Sequence, residues 1–220
     1  MPLRILTANL YTGRAKPTAL AAVLSDTAPD VVAVQELAPS QAEVLADWGE
    51  SRLLDPDLLT TGMGLAVQGP AHLDRLSFPH RNPVRARFDG AAWGFGEIEV
   101  IVAHVVNPIS RPFSVSRGHR REEAAALEAL LAAPGATRIL VGDFNSSPTW
   151  PLYRRLAALA IDGPVQAGTA ARTWGYFPNS PRLLRIDHAF LQGARCVSSQ
   201  TVKIPGADHR ALVVDVEPLP

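Results

Sequence analysis

The amino-acid sequence predicts a mixed α/β sandwich, and three observations support this prediction. Hydrophobic residues make up 47% of the 220 residues, which is enough for a substantial core. Short apolar segments that favour β-strands outnumber the helical patterns, and helices fall between only some of the strands. The first predicted strand is not followed by a Gly-x-Gly-x-x-Gly motif, which argues against a doubly wound dinucleotide-binding sheet.

The elements predicted in the first half of the chain alternate between strands and helices. The strand segments are short and apolar, whereas the helical segments begin at a proline and repeat apolar residues every three or four positions. In chain order they are strand Arg4–Ala8, helix Pro17–Leu24, strand Val31–Val34, helix Pro39–Trp48, the weaker strands Gly64–Val67, Leu73–Phe78 and Val84–Phe88, and strand Ile98–Ala103.

The second half begins with the longest predicted helix, Ser116–Ala133, which Pro134 and Gly135 end. No repeat and no linker-like composition interrupts the chain, so residues 1–220 are predicted to form one domain. The remaining predicted elements are strand Arg138–Val141, helix Trp150–Leu159 and the strands Ile186–Leu191, Arg195–Val202 and Ala211–Val216.

The charge balance and the cysteine count exclude several classes of protein. Lys and Arg number 21 and Asp and Glu number 21, so bulk charge does not favour nucleic-acid binding, although a local basic groove would. The single cysteine, Cys196, excludes a disulfide framework and a multi-cysteine metal site. No apolar run approaches the ~18 residues of a membrane span, and no secretory signal is visible, so we expect a cytoplasmic protein.

Several apolar strands terminate in a side chain that can bind a metal ion or a phosphate. The residues in question are Asn9, Glu36 and His104, each after its own strand, and the pair Asp143 and Asn145 after a fourth strand. Ligand sites of open α/β sheets lie at the carboxyl ends of the strands, where the rigid strands hold the loops that carry the site. We therefore expect these side chains to share one pocket.

Two segments nearer the carboxyl terminus extend this set. Asp187 lies inside an apolar strand, where a carboxylate is costly unless it is paired, and a histidine would be a suitable partner. Asp208 and His209 precede the last strand, and they would lie beside the other strand ends if that strand runs antiparallel. Hard oxygen ligands without thiolates suit Mg²⁺ or Mn²⁺. With no Gly-x-Ser-x-Gly motif in the chain, the set favours attack of water on a phosphate ester.

The chain resembles the endonuclease/exonuclease/phosphatase superfamily, which includes pancreatic-type deoxyribonucleases, abasic-site endonucleases, neutral sphingomyelinases and inositol polyphosphate phosphatases. The resemblance implies a four-layer α/β/β/α sandwich with two mixed, mostly antiparallel sheets. The motifs that carry it occur in the family's order over nearly the whole chain: Thr7-Ala8-Asn9, Val34-Gln35-Glu36, Ala103-His104, Gly142-Asp143-Phe144-Asn145, Arg172-Thr173-Trp174, Arg185-Ile186-Asp187-His188 and Asp208-His209.

The resemblance also implies a metal shell. Glu36 would be the principal ligand of the ion, and Asn9 and Asp208 would complete or support that shell. The expected ion is Mg²⁺, with Mn²⁺ as a substitute.

The resemblance further implies catalytic roles around that ion. Asp143 would position or deprotonate the attacking water, and Asn145 would orient the phosphate or the nucleophile. His209 would contact the scissile phosphate while Asp187 fixes its tautomer, and His104 would also hold the phosphate. Whether Asp143 or His209 is the general base stays open at this point.

Some positions depart from the family pattern. Asn107 is predicted to replace a hydroxyl side chain at the substrate rim. Some members pair the histidine equivalent to His104 with a carboxylate. Three candidates for this role, which the sequence does not distinguish, are Asp74, Asp89 and Glu97.

An arginine-rich stretch follows the His104 loop. Arg117, Arg120 and Arg121 either form a rim that attracts an anionic substrate or lie on a solvated helix start, where they would oppose the helix dipole. Trp174 either lines the pocket or packs beneath the strand that contains Asp187.

The sequence thus predicts a Mg²⁺-dependent phosphohydrolase, in the first place a phosphodiesterase or nuclease, that acts as a monomer. Its partner would be a phosphate-ester substrate, with DNA and RNA among the candidates. The alternatives are a phosphomonoesterase, a phosphodiesterase of lipid headgroups, and a catalytically silent member that binds a phosphate ligand.

Overall fold

Two six-stranded β-sheets pack face to face in the computed structural model of the protein, which describes residues 1–135 and 137–220. Each sheet contains one parallel pair of strands near its middle, and all other neighbours are antiparallel. This arrangement confirms the predicted mixed, mostly antiparallel sheets.

The first sheet contains strands from both ends of the chain. Its order is β11-β12-β1-β2-β4-β3, and β1 and β2 form the parallel pair. The strands are β1 Leu3–Asn9, β2 Val31–Gln35, β3 Ser51–Asp55, β4 Met63–Val67, β11 Ala194–Lys203 and β12 Arg210–Pro218.

The second sheet repeats this pattern with the middle of the chain. Its order is β5-β6-β7-β8-β10-β9, and β7 and β8 form the parallel pair. The strands are β5 His72–Arg75, β6 Val84–Asp89, β7 Glu97–His104, β8 Thr137–Asp143, β9 Ile161–Asp162 and β10 Asp187–Gln192.

Helices cover the outer face of each sheet and connect the parallel strands, as a parallel pair requires. Helices α1 (Pro17–Thr27) and α2 (Pro39–Ala46) pack on the first sheet, and α3 (Phe113–Ala132) and α4 (Pro151–Ala157) pack on the second. A third apolar core fills the space between the sheets. A short helix α5, Gly163–Gln166, follows β9. The result is the expected α/β/β/α order of layers.

The structure differs from the predicted elements mainly at the edges. Strand β3 was not predicted, because none of its residues is fully buried and its polar residues break the apolar pattern. The strand predicted over Leu73–Phe78 ends already at Arg75, and the longest helix begins at Phe113, before the predicted Ser116. Among the described residues, no helix is both long and apolar enough to cross a membrane.

The register of the strands brings the polar strand ends together. Asp143 pairs with His104 on the parallel side of β8 and with Asp187 on the antiparallel side. Strand β12 runs antiparallel to β1, so its start lies at the end of β1 and places Asp208 and His209 there. All of these positions are therefore consequences of the strand pairing.

Truncation of the core between the sheets is expected to destabilise the protein strongly. Leu65 on β4 is fully buried there, so Leu65→Ala should lower the unfolding free energy by about 2–5 kcal/mol. Chemical denaturation measures this change, and Leu219→Ala is the control, because Leu219 is 48% exposed. Equal stability of the two variants would contradict the assigned core.

Candidate active site

The backbone turns sharply after β2 and β8, and these turns position two of the predicted residues. Glu36 has a φ of 54° and Asn145 a φ of 46°. Asparagine tolerates this left-handed conformation, but glutamate rarely adopts it, and such strain is typical of functional sites. Gly142 has a φ of 136°, and a Cβ there would lie 2.0 Å from the carbonyl oxygen of Ala103, so glycine is required where β8 lies beside β7.

The side-chain amide of Asn9 links the two sheets at the centre of the site. Its Nδ2 donates to Glu36 Oε1 at 3.2 Å and to Asp143 Oδ2 at 3.1 Å. Its Oδ1 accepts from the backbone N–H of Tyr11 at 2.9 Å, which fixes the orientation of the amide. One buried amide therefore holds carboxylates from both sheets together.

Asp143 is a buried carboxylate with several hydrogen bonds. Its Oδ1 accepts from the backbone N–H of Asn145 at 2.7 Å, and its Oδ2 accepts from Asn145 Nδ2 at 3.2 Å. Burial raises the pKa of Asp143 to about 7, and the negative charge of Asp187 adds to this shift, while His209 opposes it. Asp143 is therefore able to exchange a proton near neutral pH.

Asp208 is a second buried carboxylate at the same end of the sandwich. Its Oδ2 accepts from Trp174 Nε1 at 3.2 Å, so Trp174 contacts the site. Burial raises the pKa of Asp208, and the nearby charge of Glu36 acts in the same direction. Its Oδ1 has no hydrogen-bond partner among the described residues.

His209 and Asp187 form a buried pair. His209 Nδ1 lies 2.8 Å from Asp187 Oδ2, and its Nε2 lies 3.8 Å from Asp143 Oδ2. Burial by itself would lower the pKa of His209, but the charges of Asp187, Asp143 and Asp208 outweigh burial and raise the pKa to about 10. His209 is therefore a cation at neutral pH.

His104 lies on the other side of Asp143. Its Nε2 is 3.6 Å from Asp143 Oδ2 and 3.8 Å from Glu36 Oε1, and the residue is only 4% exposed. Burial lowers the pKa of His104 well below its usual range, and the positive charges of Arg81 and His209 act in the same direction. Two histidines thus face Asp143, one cationic and one neutral.

Two groups of side chains could hold a metal ion. Asp143, Asp187 and His209 each offer a ligand atom within 4.8 Å of the others, although His209 is already bonded to Asp187. Glu36 and Asp208 are at the centre of the other group, which presents hard carboxylate oxygens that include the unpartnered Asp208 Oδ1, and Asn9 supports it by donating its Nδ2–H to Glu36. Buried acids with raised pKa values are the environment that a divalent cation stabilises, and oxygen ligands fit Mg²⁺ or Mn²⁺.

The predicted rim residues are only partly gathered at the site. Arg117 and Arg121 are exposed on α3, and no hydrogen bond joins either guanidinium to the described site residues. Arg120 donates to the carbonyl oxygens of Val106 and Asn145, so it links the loop after β7 to the loop after β8. Asn107 is exposed, and its Oδ1 accepts from the N–H of Ile109 within its own loop.

The acids considered as partners of His104 lie elsewhere. Asp74 forms an ion pair with Arg85 at 2.6 Å, and Asp89 accepts from the N–H of Ala91. Glu97 is exposed at the start of β7. Asp74 and Asp89 are therefore engaged elsewhere, and Glu97 lies at the opposite end of β7 from His104.

Sequence reasoning missed three residues near the site: Thr12, Arg81 and Glu123. Thr12 Oγ1 donates to Glu36 Oε2 at 2.7 Å from a loop in a left-handed conformation. Arg81 and Glu123 line a small cavity against His104. None of the three belongs to a motif, and only the topology brings them to the site.

The chain belongs to the endonuclease/exonuclease/phosphatase family, since the model of that family matches residues 6–209. The family is metal-dependent, and its members are generally phosphoester hydrolases. No curated protein matches the sequence.

Solved structures with the same fold include three that cover nearly the whole chain. An endonuclease/exonuclease/phosphatase from Beutenbergia cavernae is 22% identical with a TM-score of 0.77, and the match covers 98% of this chain and 71% of that one. A humanized D. rerio TDP2 is 18% identical with a TM-score of 0.74 and 98% coverage of both chains. The 3′ phosphatase NExo from Neisseria, bound to a product DNA hairpin, is 17% identical with a TM-score of 0.74, covering 98% and 99%.

The variant Asp187→Asn is expected to lower the pKa of His209, because it removes the charge that does most to hold the proton. The pKa of His209 in the folded protein, about 10, exceeds the unfolded value of 6.5, so the pair stabilises the protein fully below pH 6.5, and this stabilisation is lost as the pH rises through 10. The difference in unfolding free energy between wild type and Asp187→Asn should therefore shrink over that window.

An NMR titration of the imidazole in EDTA measures this pKa, and denaturation at several pH values measures the stability difference. The exposed Asp26→Asn is the control and should leave the pKa of His209 unchanged. A His209 pKa that is the same in Asp187→Asn and wild type would contradict the assigned pair.

Proposed function

We propose that this protein is a Mg²⁺-dependent phosphohydrolase that cleaves phosphodiesters by in-line attack of water. The observation that carries this proposal is the convergence, around Asn9, of Glu36 and Asp143 from different sheets, with the cationic His209 beside them. Such a set combines negative charge for a metal ion with positive charge for a phosphate.

Glu36 would be the principal metal ligand, supported by Asn9 and Asp208. When bound, the ion would withdraw charge from a phosphate oxygen and stabilise the leaving oxygen. Thr12 would hold Glu36 through the hydrogen bond to Oε2, which leaves Oε1 directed toward Asn9. Mn²⁺ would support the same role with the same ligands.

Asp143 would accept the proton of the attacking water. Its pKa of about 7 leaves a useful fraction of carboxylate at neutral pH and gives the group enough basicity for the transfer. Asn145, held to the carbonyl oxygen of Val105 at 3.0 Å, would fix the Asp143 carboxylate and orient the water or the phosphate.

The two histidines would bind the phosphate in different ways. His209, kept protonated by Asp187, would stabilise the negative charge that develops on the phosphoryl oxygens. His104 would contribute a neutral imidazole to the opposite side. Asp187 is the positioning residue of this pair, so His209 is less suited than Asp143 to be the general base.

For the substrate we propose a phosphodiester, with nucleic acid as the first class to test. D. rerio TDP2 complexed with a single-strand DNA product and NExo bound to a product DNA hairpin have the same fold. Phosphomonoesters and lipid headgroups are the alternative substrates, because the chain has zero net charge and few arginine contacts at the rim. A monomer in the cytoplasm stays our expectation for its state and location.

Loss of the general base is expected to abolish most of the activity. Asp143→Ala should lower kcat on bis-p-nitrophenyl phosphate with Mg²⁺ at least ~100-fold, and EDTA should abolish the wild-type rate. The exposed Glu97→Gln is the control. If folded wild type and Asp143→Ala are equally inert on plasmid DNA, abasic-site oligonucleotide, RNA, sphingomyelin, inositol phosphates and monoesters, the silent binding module is favoured instead.

Weakening the support of Glu36 is expected to weaken metal binding. Thr12→Val keeps the side-chain shape but loses the hydrogen bond to Glu36, so the metal concentration for half-activation should rise about 10-fold or more. Thr12→Ser, which retains the hydroxyl, should stay near wild type, and Glu36→Gln should show a larger rise than Thr12→Val. Unchanged metal dependence in Glu36→Gln would remove Glu36 from the metal shell.

A further inference from the structure

The most exposed large apolar side chains of the protein lie at one end of the sandwich. Leaving aside the terminal Met1, five of them are 63–76% exposed: Leu58, Leu59, Ile109, Tyr176 and Phe177. They belong to the loop between β3 and β4, the loop after β7 and the loop before β10, which all lie at the end where the site forms. Exposed apolar residues are normally scattered, so their concentration around one site indicates a binding surface. We call these five residues the apolar rim.

The loop that carries Leu58 and Leu59 is tied to the segment that contains Glu36. Leu37 directly follows Glu36, and its carbonyl oxygen accepts from the backbone N–H of Asp57 at 2.8 Å. Asp57 Oδ1 accepts in turn from the backbone N–H of Leu59 at 2.9 Å. The backbone of this turn is thus fixed while both leucine side chains are exposed.

The other two loops of the apolar rim are also bonded to the site. Arg182 Nη1 donates to the carbonyl oxygens of Phe177 and Asp208, at 3.2 Å and 2.7 Å. Arg120 links the loop after β7 to the backbone of Asn145. All three loops therefore border the same site, and hydrogen bonds hold them in place.

The charges of this neutral chain are divided between the two ends of the sandwich. The loops at the site end carry four exposed basic side chains: Arg14, Lys16, Arg111 and Arg172. Apart from the carboxylates of the proposed site, the acid on these loops is Asp57. The described loops at the opposite end contain no Lys or Arg and three acids: Asp30, Asp47 and Glu50. The site end is therefore the end that attracts an anionic partner, which the net charge of zero conceals.

An anionic lipid bilayer fits this surface better than a nucleic acid does. The basic side chains would suit the phosphates of either partner. Leu58, Leu59 and Ile109 are aliphatic, so they neither stack on bases nor donate to phosphates, whereas they gain free energy when they enter hydrocarbon. Tyr176 is amphipathic, and tyrosine is enriched at the interface between membrane and water.

We propose that the apolar rim and the basic side chains around it form a docking surface for an anionic lipid bilayer. The apolar side chains would enter the boundary between headgroups and acyl chains, and the basic side chains would lie at the level of the lipid phosphates. Docking would bring lipid headgroups against the site, and their cleavage as phosphodiesters rests on the proposed function. The surface itself does not depend on catalysis.

Co-sedimentation with vesicles in EDTA tests docking without turnover. Wild type should bind vesicles of phosphatidylcholine and phosphatidylserine in equal amounts, and it should bind more weakly at high salt or to phosphatidylcholine alone. The double variant Leu58→Ser/Leu59→Ser should bind at least ~10-fold more weakly, and Ile109→Ser, on a different loop, should also weaken binding. The matched control is Leu159→Ser/Val165→Ser, which removes exposed apolar side chains away from the site end and should match wild type.

Two results would overturn the proposal: no vesicle binding by wild type, or a loss in Leu58→Ser/Leu59→Ser no larger than in the control variant. Fluorescence anisotropy with a labelled single-stranded oligothymidylate tests the competing partner. Wild type that binds the oligonucleotide but not the vesicles would assign the surface to nucleic acid and overturn docking on a bilayer.

A soluble substrate separates docking from catalysis. On bis-p-nitrophenyl phosphate with Mg²⁺, Leu58→Ser/Leu59→Ser should keep the wild-type rate, because both side chains lie in solvent outside the proposed site. A rate that falls as much as vesicle binding would indicate general damage to the protein and overturn the assigned docking role. An absent wild-type rate on every phosphate ester would count against the proposed function, while the vesicle result would still decide docking.

Discussion

The site depends on one constraint: negative charge from two sheets is concentrated in a buried space and held there by a single amide. Asn9 donates to Glu36 on one side and to Asp143 on the other, at the ends of the two parallel strand pairs. Burial is the main cause of the raised pKa values of Asp143 and Asp208, and repulsion from Asp187 and Glu36, respectively, adds to it. The fold keeps these carboxylates together because the register of the paired strands, and not the conformational preference of each residue, sets the positions of their side chains.

The two histidines beside Asp143 differ in protonation state. His209 is bonded to Asp187 and gains a proton, whereas His104 is buried beside positively charged groups and loses it. Both imidazoles lie within 4 Å of the same carboxylate oxygen, so their different charges arise from their partners and not from their distance to Asp143. One oxygen of Asp143 is thus placed between a cation and a neutral ring.

Much of this arrangement could be predicted from the sequence, because unbroken apolar strands ending in polar side chains leave little ambiguity. The mixed α/β class and the convergence of Asn9, Asp143 and His209 follow from that pattern, whereas the order of layers is implied by the family resemblance. Strand β3 could not be predicted, since its half-exposed residues show no clear period. Thr12 and Glu123 could not be predicted either, because their contacts, with Glu36 and with the backbone N–H of Val106, cross the fold and are encoded by no local spacing.

We propose that Glu36, supported by Asn9 and Asp208, holds a divalent cation at the junction of the two sheets. The most direct measurement is anomalous diffraction from crystals of the protein grown with Mn²⁺. We expect one strong anomalous peak within coordination distance of Glu36 and Asp208, and we expect this peak to be lost in crystals of Glu36→Gln. A fully occupied ion bound elsewhere, with Glu36 free of metal in the wild-type protein, would contradict this role of Glu36.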